Sequence, residues 1–392
     1  MNPDARIREF LIAHGGPLYE LQRRLGLIHE HALRTVPRAA VFVGLAWGVP
    51  LALSLVQGHA LGPLEARPFL LDLGVGARFL VAVGLFVLME QQVEEILRTT
   101  LVQFVRAPLI APDSVAAAAA AVTTALKQRD SRIAEAICLA IAAVISIYSF
   151  LNVTNASTSW AVATSADGTA PTLAAWWCLF ISSPIFWFLL LRELWRHLIW
   201  SILLRRIAAL RLRLVSTHPD GMGGLGFVGL YPNAYGTFIL AISCVLGAAL
   251  AYDLMAGQLP ANKYAVTMGA WLVIVLALFV YPLFAFYKPL ARLKAETMNA
   301  CGAQATRYNR AIERKLLGRN MAAPEESEGA GDPDVADPTK QFDATRKLSV
   351  FLIHRSALVP VSAAALLPLA AAGLTQLPYK ELLSIVKRFL LL

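Results

Sequence analysis

Six stretches of nearly unbroken apolar residues, each long enough to cross a bilayer as helix, constrain this chain more than any other feature. A hydrocarbon core needs roughly 20 helical residues, with about 17 to 25 tolerated, and backbone inside it must satisfy its own hydrogen bonds. Ala39–Val56, Leu73–Met89, Ile133–Val153, Leu173–Leu191, Thr237–Leu254 and Val266–Phe286 meet that requirement, each bounded by polar or turn residues. Hydrophobic residues make up 57% of the chain and charged ones 16%, a balance outside that of soluble domains and suited to several spans.

The positive charges sort themselves between the stretches. Arg6, Arg8, Arg23, Arg24, Arg34 and Arg38 precede the first, and only Arg67 lies between the first and second. Arg98, Arg106, Lys127, Arg129 and Arg132 follow the second, and none follows the third. Arg192, Arg196, Arg205, Arg206, Arg211 and Arg213 follow the fourth, and Lys263 alone follows the fifth. Basic connections stay on the cytoplasmic side, so the alternation predicts an all-α, polytopic bundle of six transmembrane helices with both termini in the cytoplasm. The many arginines and alanines point to a bacterial source, and hence to the inner membrane. The formal charge of +9 fits contact with anionic headgroups; without a basic face carrying stacking aromatics, no nucleic acid is expected as a partner.

Four units follow. Residues 1–38 form a cytoplasmic segment whose Pro17–Ile28 places Leu18, Leu21, Leu25 and Ile28 on one side of a helix. Residues 39–319 form the six-span domain, with spans two, four and six continuing as cytoplasmic helices; Val93, Ile96, Leu97, Leu101, Phe104 and Val105 share one face of the first extension. Residues 320–342 are rich in acids and proline and read as a flexible linker. Residues 343–392 hold an apolar run broken by Pro360, Pro368 and Pro378, expected to be re-entrant, interfacial or packed on the cytoplasmic layer. Their last part places Leu382, Val386, Phe389 and Leu390 on one helical face.

Between the basic fourth connection and the fifth span lies THPDGMGGLGFVG, Thr217–Gly229. Gly221, Gly223, Gly224 and Gly226 permit backbone conformations closed to other residues, and free N–H groups before a helix could hold an anion with help from Arg211 and Arg213. The run matches neither a Walker loop nor a dinucleotide fingerprint. His218 and Asp220 are candidate ligand contacts without a third catalytic partner, and the plainer reading is a structural bend made by Pro219 and Gly221. HPDGMGGLGFVG resembles the His-Pro-Asp-x-x-Gly-Gly-Leu-Gly-Phe signature of a group of bacterial multi-pass membrane proteins of similar size, and TQLPYKELLSIVKRFL fits the same group. That resemblance implies a bacterial inner-membrane protein and no particular activity.

Ionisable side chains within spans are costly and mark function. As bounded above, spans one, four and six have none beyond tyrosine and cysteine, which disfavours a coupled carrier and suits a channel lined by small residues. Glu90, Glu94 and Glu95 form an acidic group just inside span two, a candidate pore mouth, with pairing to nearby arginines as the ordinary alternative. Gly44 and Gly48, and Ser243, Gly247 and Ala251, have the spacing of close helix contacts, within the bundle or between subunits. Trp176, Trp177, Trp195 and Trp200 read as aromatic belts. The four cysteines are scattered, so neither a metal nor a cofactor is expected. The expected function is an oligomeric conduit for ions or small solutes. Its alternatives are a sensor or scaffold for a cytoplasmic protein and a lipid-headgroup enzyme using His218 and Asp220. The lipid bilayer and further copies of the chain are the expected partners.

Overall fold

The computed structural model describes residues 7, 9–28, 33–62, 67–153, 160–165, 168–257, 260–323, 336–353 and 355–374. The amphipathic stretch expected around Leu382–Leu390 and most of the acidic linker lie outside the described residues. Helix α1 is Pro17–Arg24, α2 Thr35–Val56, α3 Leu73–Arg106, α4 Val115–Arg129 and α5 Arg132–Val153. A two-stranded antiparallel hairpin follows, β1 Val162–Ser165 and β2 Gly168–Pro171, where the sequence promised only a polar loop. Then come α6 Leu173–Ala208, α7 Gly226–Met255, α8 Ala261–Val280, α9 Tyr287–Leu317, α10 Thr339–Lys347 and α11 Arg355–Gly373.

Seven helices among the described residues are long and apolar enough to cross a membrane, one more than expected. The seventh is α11, whose prolines argued against a span. Pro360 cannot donate to the Ser356 carbonyl four residues earlier, but Asn233 Nδ2 reaches that oxygen at 3.5 Å. Tyr264 donates its hydroxyl to Leu369 O. A neighbouring helix thus satisfies the carbonyl that Pro360 frees, which is what lets proline persist in membrane helices, while the Tyr264 bond ties α11 to α8. α11 packs mainly on α7 and α8. A Cβ added at Gly247 would sit 2.8 Å from Pro368 O, so the Ser243–Gly247–Ala251 stripe belongs to this internal crossing. Gly44 and Gly48 have no neighbour within 4 Å of such a position.

The spans also bend around their prolines. A π turn over Gly44–Gly48 precedes Pro50, and another over Cys178–Ser182 precedes Pro184. A third covers Gly76–Ala82, and the first π turn packs against the other two. Wide turns of this kind absorb a missing or displaced backbone bond and concentrate at functional sites. Leu45 O, inside the first, accepts from Trp177 Nε1 at 2.9 Å. Pro282 lies in the 3-10 segment Tyr281–Phe286 that joins α8 to α9, and the carbonyl it frees, Leu278 O, faces His197 Nε2 at 3.1 Å.

The N-terminal segment departs furthest from its expected place. Ile7, Phe10, Ile12 and Ala13 are buried in the common core, whereas an independent cytoplasmic segment would leave them exposed. Of the expected apolar side of Pro17–Ile28, Leu21 and Leu25 are exposed while Leu18 packs on the core and Ile28 is buried, and the polar Gln22 is buried with them. Trp200, expected at the inner interface, is fully buried with its ring centroid 6.0 Å from that of Phe10.

Candidate functional site: a buried charge network at one end of the bundle

The helix α6 does not end where its apolar run ends. It continues without a break to Ala208, carrying Arg192, Glu193, Arg196 and His197 into the interior, each only 3% exposed. Counting 1.5 Å per residue puts Arg192 about 29 Å from Leu173, Glu90 about 26 Å from Leu73 and Arg38 about 27 Å from Val56. Three helices thereby bring charges to one level, close to the far boundary of a hydrocarbon layer about 30 Å thick.

Glu90 on α3 is the hub. Its Oε2 lies 2.7 Å from Arg38 Nη2 on α2, and its Oε1 lies 2.9 Å from Arg192 Nη1 and 3.0 Å from Arg196 Nη1. Arg196 also pairs with Glu193 at 2.6 Å, and Arg192 Nε reaches Glu135 on α5 at 3.3 Å. The three arginines thus face the three carboxylates Glu90, Glu193 and Glu135, a local balance that buried charges require.

The remaining capacity of these groups is turned on the N-terminal segment. Glu94 accepts from the Ala13 amide at 2.9 Å and lies 2.8 Å from His14 Nδ1, while Arg196 Nη2 donates to Ala13 O at 3.2 Å. Glu135 accepts from the Leu18 amide at 2.8 Å, and Arg129 Nη1 donates to Leu11 O. Arg38 Nε donates to Gln22 Oε1 at 2.5 Å. Gly16 has φ 92°, and a side chain there would collide with the Glu135 carboxylate. The chain can therefore lie flat against the network only because this residue is glycine.

A second set of polar atoms is buried elsewhere in the bundle. The carbonyl of Leu278 can only accept, so His197 donates through Nε2 and leaves Nδ1 as an acceptor. Nδ1, Tyr235 Oη and Trp200 Nε1 are buried without a partner among the described residues, as are Ser54 Oγ and Ser182 Oγ on α2 and α6. The His197 and Tyr235 rings meet edge to face at 4.9 Å. Unpartnered buried groups of this kind are the usual places for internal water or a ligand.

Glu90 is thus buried in ion pairs, Glu94 is buried against Ala13 and His14, and Glu95 is exposed outside the network. Hydropathy placed Arg192 and Arg196 in a connection beyond span four, but the same helix carries both into the interior. No family model, curated protein or solved structure matches the chain. The assignment of function therefore rests on this geometry.

The glycine-rich segment forms a clasp. Asp220 Oδ1 accepts from the Met222 amide at 2.8 Å and the Gly224 amide at 3.1 Å, and Oδ2 accepts from the Gly226 amide at 2.8 Å. His218 Nδ1 lies 2.9 Å from Asp220 Oδ1. Burial raises the Asp220 carboxyl, but the three amides and the His218 ring outweigh it and hold the group below its usual 3.8. Gly223 and Gly224 have φ 69° and 94°, and their backbones press against Leu290 and Leu109. Gly221 O accepts from the Ser349 amide at 2.8 Å, and Lys294 Nζ donates to Leu348 O at 2.7 Å. The loop thus ties the ends of α3 and α6 to α9 and to the segment that feeds α11. Arg211 pairs with Asp113 at 2.5 Å, and the Arg213 amide bonds Leu109 O at 2.7 Å. Neither bond turns toward the glycines. Both oxygens of Asp220 are occupied in holding the loop.

Proposed function

We propose that the protein is a conduit for a small ion or solute in a bacterial inner membrane, held closed at its cytoplasmic end by its own N-terminal segment. The observation that carries this reading is the clamp of Glu94, Arg196 and Glu135 on the Ala13 and Leu18 backbone. Charges buried between helices at that depth are costly, and their remaining hydrogen bonds go to a segment that covers them. The orphaned polar atoms of Ser54, Ser182, Tyr235 and His197 add buried polar groups to an apolar bundle. Meeting π turns supply spans able to shift between backbone registers. The bilayer and further copies of the chain are its partners in this reading. The basic connections favour a cytoplasmic N-terminus, and a seventh crossing by α11 would put the chain beyond Gly373 on the opposite side. Planar-bilayer recording tests the conduit: the full chain should conduct weakly, and Arg196→Gln should raise the open fraction. Silence from both proteins, while each remains folded and inserted, would overturn it.

A second reading, as a sensor or scaffold, is favoured by α9. Only Leu290 of its 31 residues is buried, and Leu316 and Leu317 near its end are exposed. Such a helix is a natural surface for a cytoplasmic protein. Pull-down with the full chain, compared with a Leu316→Asp and Leu317→Asp variant, tests it; recovery of the same partner by both would count against this surface.

A further inference from the structure

The end of α6 and the beginning of α9 enclose a groove of about 1010 Å³ that neither the charge network nor the glycine clasp uses. Its floor is fixed by a short bridge in which Ile110 pairs with Leu212, the Ala111 amide bonds Arg211 O at 2.9 Å, and the Arg213 amide bonds Leu109 O. This pairing fixes residues 211–213, and Leu212, Leu214 and Leu293 line an apolar base. Four cations stand around that base: Arg205 and Arg211 on one wall, Lys288 and Arg292 on the other. Arg211 faces Asp113 at 2.5 Å and Arg292 faces Glu296 at 3.8 Å, both pairs exposed and so only weakly held. Arg205 lies over the Tyr281 ring at 4.8 Å. Neither Arg205 nor Lys288 has a carboxylate partner among the described residues.

We infer that this groove binds the phosphate headgroup of an anionic phospholipid. Two features select that chemistry over a free anion. The cations converge from two walls on an apolar base, which fits a molecule with a phosphate at one end and carbon at the other. The exposed rings of Tyr281 and Tyr287 lie beside it, the residue type that sits at headgroup depth. Arginine and lysine together match a phosphodiester, the guanidinium by paired hydrogen bonds and the ammonium as a point charge.

The test is native mass spectrometry of the full chain in neutral detergent, with phosphatidylglycerol, phosphatidylcholine or inorganic phosphate added. The protein should retain phosphatidylglycerol in preference to phosphatidylcholine. Lys288→Gln and Arg292→Gln should each weaken retention about fivefold, the worth of one cation near an anionic surface. Lys288→Arg should restore it, and Lys263→Gln, in the first turn of α8, should change nothing. These groove side chains are exposed, so their loss does not threaten folding. Retention unaffected by both groove variants would overturn the site. Full displacement by inorganic phosphate would overturn the phospholipid and leave a simple anion site.

Discussion

Glu90 Oε1 lies within 3.0 Å of Arg196 Nη1, although the two residues are 106 positions apart and sit on different spans. Arg38, Arg192 and Arg196 all converge on this one carboxylate. Removing it would strand the buried Arg38 and leave Arg192 and Arg196 with one carboxylate each, Glu135 and Glu193. Glu90→Ala should destabilise the protein by about 3–5 kcal/mol, the usual effect of breaking a buried ion pair from one side. Glu90→Gln should lose less, since it keeps an acceptor. Thermal unfolding in detergent would show this; unchanged midpoints for both would contradict the hub role.

Phe10 is fully buried against Trp200, which makes it a reporter for the N-terminal clamp. A cysteine placed there, in a background with the native cysteines replaced by serine, should react slowly with a thiol reagent. Adding Arg196→Gln removes the bond to Ala13 O and should speed the reaction. Equal rates in both proteins would mean that the segment is held by packing alone.

Asp220 carries a pH dependence whose sign follows from its depressed carboxyl. Because the folded group ionises more readily than its usual value of 3.8, the stability it supplies is complete well above that pH. It drains away as pH falls through the lowered folded value. Asp220→Asn should therefore be less stable than the parent near neutral pH, with the gap narrowing in strong acid. A gap that widens on acidification would reverse the assignment. Loss of all three amide bonds in Asp220→Ala should cost on the order of 2 kcal/mol.

The crossing of α7 and α11 depends on Gly247. Since a Cβ there would lie 2.8 Å from a backbone oxygen that cannot swing aside, Gly247→Val should separate the two helices and lower the unfolding temperature by several degrees. A variant as stable as the parent would show that the helices do not need this contact.

The seventh span has a topological consequence. In the same cysteine-free background, Leu374→Cys and Val36→Cys, both at exposed positions, should react with an impermeant thiol reagent from opposite faces of a sealed vesicle. Reaction from the same face would return α11 to a re-entrant or interfacial role.

Much of this fold was legible because lipid leaves so few choices. Six of the seven span-length helices were marked by hydropathy alone, and the buried stripe Val93, Leu97, Leu101 and Phe104 followed from helical spacing. α11 was missed because proline was weighed as a helix breaker, and the donor that answers the Ser356 carbonyl freed by Pro360, Asn233, comes from another helix. The charge network was missed for a related reason. Hydropathy closed span four at Leu191, yet the helix runs on, and one side of it stays buried because Glu90, Glu135 and Ala13 supply partners. The acidic group at Glu90 and Glu94 and the basic run after Leu191 were the visible signals, and their pairing was not.

The sequence by itself determined that this chain is helical and bilayer-bound, since an apolar run in hydrocarbon has no other means of satisfying its backbone. It also marked the His218–Gly226 segment as a bend. Only the tertiary structure decided that Asp220 organises that bend, that Gly247 meets Pro368, and that Leu11–Leu18 lie against the buried charges. A local pattern sets which backbone a segment adopts, but the partner of a buried charge is chosen by whichever distant segment the packing brings within about 3 Å of it.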